Sequence, residues 1–129
     1  MLYRLLRQNE SIEDGLSAKD PNSETSVFLH VTTGSYGQSK YISTCGSYDA
    51  VSYLKCKSMK PGEIVKIDED KLLSNNVEII DLRYRNTRDI YIDNSATAES
   101  INTFNNNAIT FQEVLLVGHV PKSCLINYV

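Results

Sequence analysis

Gln112-Glu113-Val114-Leu115-Leu116-Val117-Gly118-His119-Val120-Pro121 decides how the rest of the chain is read. A nearly continuous apolar run of strand length follows an acidic residue and is ended by Gly118. Such runs suit a strand buried on both faces. A carboxylate at a loop-to-strand junction can be aimed into a cleft while the strand behind it keeps it rigid. The ordinary alternative for Glu113 is a solvated strand end, because glutamates are mostly exposed.

Outward from that strand, the chain reads as a mixture of elements. Residues 2–6 form a short apolar segment with Arg4 inside it, predicting a strand. Residues 11–14 predict one or two helical turns closed by Gly15, and residues 20–23 (Asp-Pro-Asn-Ser) predict a turn. Residues 27–33 support either strand or helix, and residues 35–39 read as a polar loop. Tyr41-Ile42-Ser43-Thr44 is a strand by propensity. Ser47 reads as the N-cap of a helix with Asp49 in its first turn, and Pro61-Gly62 closes that region. Strands are then expected at residues 63–67, 77–82 and 90–92, and a short helix within residues 95–104. The Asn-rich stretch 102–107 reads as a loop before the strand at Glu113, and residues 124–129 close the chain as another strand. The expected class is α+β, with strands outnumbering helices, no regular βαβ alternation, and residues 1–129 forming a single domain.

Composition narrows the function classes. The 129 residues are 41% hydrophobic and 22% charged, as in ordinary globular domains. Thirteen basic against sixteen acidic residues leave a formal charge of −3, which disfavours broad electrostatic binding of nucleic acid. No apolar run is long enough for a membrane span, and the first ten residues hold no apolar stretch of secretory-signal length. Cys45, Cys56 and Cys124 are odd in number and widely spaced, so neither a disulfide framework nor a zinc site is expected. A reducing, cytoplasmic setting is the simplest reading. Gly-x-Gly-x-x-Gly and P-loop motifs are absent.

Several side chains are candidates for chemistry. Arg4 is a cation inside an apolar segment, and its planar fork suits phosphate or carboxylate; an exposed edge-strand arginine is the alternative. Ser43 and Thr44 point to opposite faces of a strand, so one faces inward and can hold a carboxylate, though ordinary strand composition explains them equally well. His30 among apolar residues reads as a core histidine or as a site residue, and His119 has less support. Arg83, Arg85 and Arg88, like Lys55, Lys57 and Lys60, read first as solvated groups.

In order along the chain, these pieces resemble the mono-ADP-ribosyltransferase fold, and within it the Arg-Ser-Glu group of bacterial toxin and effector enzymes that includes the cholera and heat-labile enterotoxin catalytic subunits and the pierisins. The early Tyr-Arg strand is Tyr3-Arg4. The Gly-hydrophobic pair and its following basic residue are Gly15-Leu16 and Lys19. The histidine segment is Leu29-His30-Val31 with Gly34 after it. The aromatic-hydrophobic-Ser-Thr-Ser strand is Tyr41-Ile42-Ser43-Thr44-Cys45, with Cys in the third small position, and Glu113 opens the last apolar strand. The resemblance spans nearly the whole chain and implies a split β-sandwich core with a few short helices.

The resemblance also implies an activity. NAD is consumed as a co-substrate, nicotinamide leaves, and ADP-ribose passes to a macromolecular acceptor, with a protein favoured over a nucleic acid and the acceptor itself left open. Glu113 stabilises the positive charge that builds on the ribose, hydrogen-bonding its 2′-hydroxyl. Ser43 holds Glu113, and Thr44 shapes the strand. Arg4 meets the diphosphate or the neighbouring ribose, His30 positions the ribose, Arg7 and Lys19 are further phosphate contacts, and Tyr41 or Tyr53 offers a stacking face. Enzymes of this type act in the cytoplasm or are delivered into a target cell, often with a neutralising partner or a delivery domain. One departure bears on the acceptor. Phe111 stands two residues before Glu113, where the family commonly has Glu for arginine-directed enzymes or Gln for asparagine-, cysteine- or guanine-directed ones. Gln112 is adjacent, but strand alternation points it the other way. NAD glycohydrolase activity and an inactive transferase-like binding module are the alternatives.

Overall fold

A computed structural model describes residues 1–34, 38–59 and 61–129. Most of the expected 35–39 loop, and Lys60 of the basic run, lie outside the described residues. The architecture is α+β, built on a largely antiparallel sheet. Strands β1 (Leu2–Leu5), β3 (Tyr41–Cys45), β4 (Ile64–Ile67), β5 (Ile79–Asp81), β6 (Glu113–Val117) and β8 (Leu125–Tyr128) form one sheet in the order β5-β6-β3-β1-β4-β8. Strands β2 (Leu16–Ser17) and β7 (His119–Val120) form a separate antiparallel pair.

β6 owes its apolar run to burial on both faces. Val114 and Leu116 belong to one core with Leu2, Ile42 and Ile67. Leu115 belongs to a second core with Phe28, Leu82 and Phe104. The second core is closed by α1 (Val27–Thr33) and α5 (Ala98–Thr110), whose Phe28 and Phe104 rings lie 5.0 Å apart. A third, smaller cluster joins α2 (Tyr48–Ser58) to β3 and β4 through Val51, Cys45 and Ile64, with Tyr3 and Leu5 of β1 packed against it.

Local chemistry sets the helix ends. The hydroxyl of Ser26 accepts from the Leu29 amide at the start of α1, and Gly34 ends it at φ 65°, a left-handed turn that favours glycine. Ser47 caps α2 as expected, accepting from the Ala50 amide at 3.1 Å. α3 (Glu69–Ser74) is capped by Asp68, and α5 opens on a reciprocal Thr97–Ser100 capping box.

Three expectations change. Residues 102–107 are not a loop but the middle of α5. Phe104 and Ala108 give that helix a buried face, and its asparagines find tertiary partners. Asn105 accepts from Arg88 Nε at 2.9 Å, and the Asn107 amide donates to the Val31 carbonyl at 3.1 Å. Those bonds outweigh the weak helix propensity of Asn. Residues 90–92 are not a strand: Ile90 ends α4 (Arg85–Ile90) and is 74% exposed. Strands are more numerous than helices among the described residues, yet helical residues exceed strand residues, 40% to 25%. The basic trio near the turn also separates. Arg88 is buried on the Leu82 and Arg83 carbonyls, Arg83 pairs with Asp81, and Arg85 remains at the surface.

The sheet has a seam. Between β1 and β3 a single register pair forms, Tyr3 opposite Cys45, whereas β3 and β6 pair along all five residues from Tyr41 to Cys45. The seam and the space beside α2 position the site.

Candidate functional site

A cleft of about 890 Å³ opens where α1, the end of α5 and α2 approach β3 and the head of β6. That volume lies in the range of small-molecule and cofactor sites. Arg4, Arg7, Lys19, His30, Tyr41, Ser43, Thr44 and Glu113 all line it, whereas Tyr53, the other candidate stacking face, is not among the lining residues. Arg4 precedes Ser43 by 39 residues, so their convergence is a product of the fold and not of local sequence.

Glu113 sits at the first position of β6, where the backbone is pinned on both sides. Gly46 N donates to the Gln112 carbonyl at 2.8 Å and Leu82 N to the Glu113 carbonyl at 3.0 Å. Gln112 just before it takes a left-handed φ of 46°, which turns the chain sharply from α5 into the strand. The Glu113 side chain is not a solvated strand end: the residue is 8% exposed. Burial pushes its carboxyl up to about 7, against the hydrogen bond from Ser43 and the charge of Arg4.

Ser43 connects Glu113 to His30. His30 Nε2 lies 2.7 Å from Ser43 Oγ, and Nδ1 lies 2.6 Å from Ser39 Oγ. Burial, with the charges of Arg4 and Lys19, lowers the imidazole to about 4, so it is neutral near pH 7. The network then assigns the protons. An ionised Glu113 only accepts, so the Ser43 hydroxyl donates to it. Ser43 Oγ therefore accepts from Nε2–H, and Nδ1 accepts from the Ser39 hydroxyl. This chain of polar groups fixes the tautomer of His30 and the rotamer of Ser43 together. The Tyr41 ring stands edge-on to His30 at 5.7 Å. Thr44 is turned away from this chain of bonds, with Oγ1 donating to the Val114 carbonyl at 2.7 Å and tying β3 to β6.

Arg4 is not an exposed edge residue. It lies on an inner strand and is 9% exposed. The phase of the β3–β6 ladder turns the even-numbered carbonyls of β3 toward β6 and the Ser43 carbonyl toward β1. Arg4 Nη1 donates to that carbonyl at 2.7 Å, taking the place of strand pairing at the seam. Its Nη2 meets both carboxylate oxygens of Glu10 at 3.0 Å. Arg7 shares the same carboxylate through its backbone amide at 2.8 Å and Nη2 at 3.1 Å. Burial lowers the pKa of Arg4, and Glu10 opposes that fall. Among the described residues, Arg4 Nε and Arg7 Nε are buried donors without a partner.

Sequence reasoning missed Glu10 and Ser39. Glu10 lies in coil, three residues after Arg7 and six after Arg4, where neither helix nor strand periodicity applies. Ser39 is one hydroxyl in a polar stretch. At the other end of the cleft, Phe111 stacks on Tyr53 at 6.1 Å, with Lys57 Nζ 5.7 Å from its ring centre. Gln112 is not among the lining residues, but it lies in the left-handed turn before β6, so strand alternation is not what directs it. His119 stands apart, exposed and bonded to Ser17 at 2.9 Å. No group of His, Cys, Asp and Glu side chains suited to a metal ion occurs among the described residues. No helix among them is long and apolar enough to cross a membrane. Comparisons with protein-family profiles, curated proteins and solved structures return no match for this chain.

Proposed function

We propose that the protein is an NAD-dependent mono-ADP-ribosyltransferase of the Arg-Ser-Glu type with a split β-sandwich core, transferring ADP-ribose to a macromolecular acceptor and releasing nicotinamide. The observation that carries this reading is the convergence of Arg4, Ser43 and Glu113 in one cleft of dinucleotide-site size, with the carboxylate buried and held. The lining fits the co-substrate. Arg4 and Arg7 both line the cleft, and each keeps one buried Nε donor without a protein partner; guanidinium groups there suit phosphate or ribose oxygens. Lys19 adds a third cation to the lining.

In the reaction, the bond between the ribose anomeric carbon and nicotinamide breaks, and its electron pair leaves with nicotinamide. The acceptor's lone pair forms the new bond to that carbon, and the acceptor's proton is lost. Positive charge grows on the ribose in the transition state. A fixed, ionised Glu113 stabilises that charge more than the ground state, which is the condition for acceleration. Ser43 and His30 keep the carboxylate oriented, and burial strengthens its field. The neutral His30 adds no competing positive charge beside the ribose.

Phe111 favours a second product. A phenyl ring at that position neither hydrogen-bonds an acceptor nor takes its proton, so water is the ready nucleophile and free ADP-ribose the product. Labelled NAD separates the two outcomes. Label bound to a macromolecule means transfer, and free ADP-ribose alone means NAD glycohydrolase. Wild-type protein that neither consumes NAD nor gains thermal stability from it at concentrations far above a typical dissociation constant refutes the proposal and leaves a binding module.

A further inference from the structure

The site holds two buried carboxyl groups that are shifted in opposite directions although both feel the charge of one guanidinium. Glu10, its side chain 6% exposed, is surrounded by donors: both of its oxygens meet Arg4 Nη2 at 3.0 Å, one accepts from the Arg7 amide at 2.8 Å and the other from Arg7 Nη2 at 3.1 Å. Burial pushes the Glu10 carboxyl up, but the charges of Arg4 and Arg7 and these hydrogen bonds outweigh it and leave it below its ordinary value. Glu113 lacks that many donors and stays high. Environments that push paired carboxyls apart separate their roles.

We propose that Glu10 is a positioning residue of the cleft: its carboxylate holds the Arg4 guanidinium against the Ser43 carbonyl and cancels charge that would otherwise act on Glu113. Glu10 faces the reaction only through Arg4. It keeps β1 and β3 locked at the seam, and it leaves Glu113 free to take and release a proton near neutral pH. The charged and titratable groups that line the cleft with Glu113 are Tyr3 and Arg4 from β1, Arg7 and Lys19 from the segments after it, His30 from α1, Tyr41 and Cys45 from β3 and Lys57 from α2, with Glu10 behind Arg4 and Arg7. The catalytic consequence rests on the proposed function; the electrostatic one does not.

The test follows the Glu113 carboxyl carbon by NMR against pH in protein carrying 13C-labelled glutamate, assigned by the signal lost in Glu113→Gln. In Glu10→Gln, the Glu113 midpoint is expected to fall by about one pH unit, the scale set by a nearby charge left uncompensated. Glu10→Asp keeps the charge, so its midpoint stays near the wild-type value. Arg7→Gln removes a cation from the rim and moves the midpoint upward. A Glu10→Gln midpoint equal to or above wild type overturns the proposal. Should Glu10→Gln not fold, a downward shift in Arg7→Gln overturns it instead. In protein that turns over NAD, the pH profile of nicotinamide release moves with the same sign in each variant. Absence of turnover in wild type removes the proposed function and leaves the titration result standing.

Discussion

Glu113→Gln should make the protein more stable at neutral and alkaline pH while abolishing its activity. The substitution keeps shape and hydrogen-bonding capacity but removes the charge that burial disfavours. The folded Glu113 carboxyl titrates at about 7, against an ordinary value of 4.5. A raised carboxyl means the folded state binds the proton more tightly than the unfolded state. Its contribution is therefore fully present below pH 4.5 and is lost as pH rises through 7. At about 1.36 kcal/mol per pH unit, the wild type forfeits about 3 kcal/mol by pH 8.5. Urea unfolding of both proteins from pH 4.5 to 8.5 reads the difference directly, because titrations common to both cancel. The stability gap between variant and wild type should widen by about 3 kcal/mol across that range, with most of the change between pH 5 and 7.5. A gap that stays constant with pH, or narrows as pH rises, refutes the claim that the carboxyl is buried and strained toward its neutral form.

Other outcomes follow from the same geometry. His30, lowered to about 4 by burial and by Arg4 and Lys19, contributes stability that is present above pH 6.5 and lost as pH falls toward 4; His30→Gln should flatten that acid limb in thermal melts. Ser43→Ala removes the hydroxyl between His30 and Glu113, so the Glu113 midpoint should rise above the wild-type value in an NMR titration, with a loss of about 1 kcal/mol in stability. Nicotinamide release in the wild type should climb as pH rises through about 7, where Glu113 ionises; a flat profile contradicts a carboxylate requirement. Phe104→Ala, at a fully buried ring packed on Phe28, should cost about 3–5 kcal/mol by chemical unfolding while leaving the residual protein able to bind NAD.

What was legible in the sequence follows from where single signals dominate. β6 was readable because apolar residues run unbroken from Val114 to Gly118, and β3 because Tyr41, Ile42 and Thr44 favour extended backbone ahead of Gly46. The start of α2 was readable because Ser47 caps the first turn through a local hydrogen bond and Asp49 places negative charge in that turn. α5 was only half visible. Its asparagines gain their helical place from Arg88 and Val31, partners distant in the chain, so no local rule exposes them. α4 was hidden because its burial pattern is inverted, with Arg88 inside and Ile90 outside. The site divided in the same way. Arg4 was visible as a cation inside an apolar segment and Glu113 as a carboxylate opening an apolar run, whereas Ser43 took its meaning from the family resemblance. Glu10 did not, because its importance is set by two arginines that fold around it in coil.

Nicotinamide formed from NAD by wild-type protein and by Glu113→Gln, at one saturating NAD concentration and pH 8, is the most direct test. The account predicts steady release by the wild type and a fall of at least about 100-fold in a variant that is folded and at least as stable. Equal rates in the two proteins, or no release by the wild type above the spontaneous rate, contradict it.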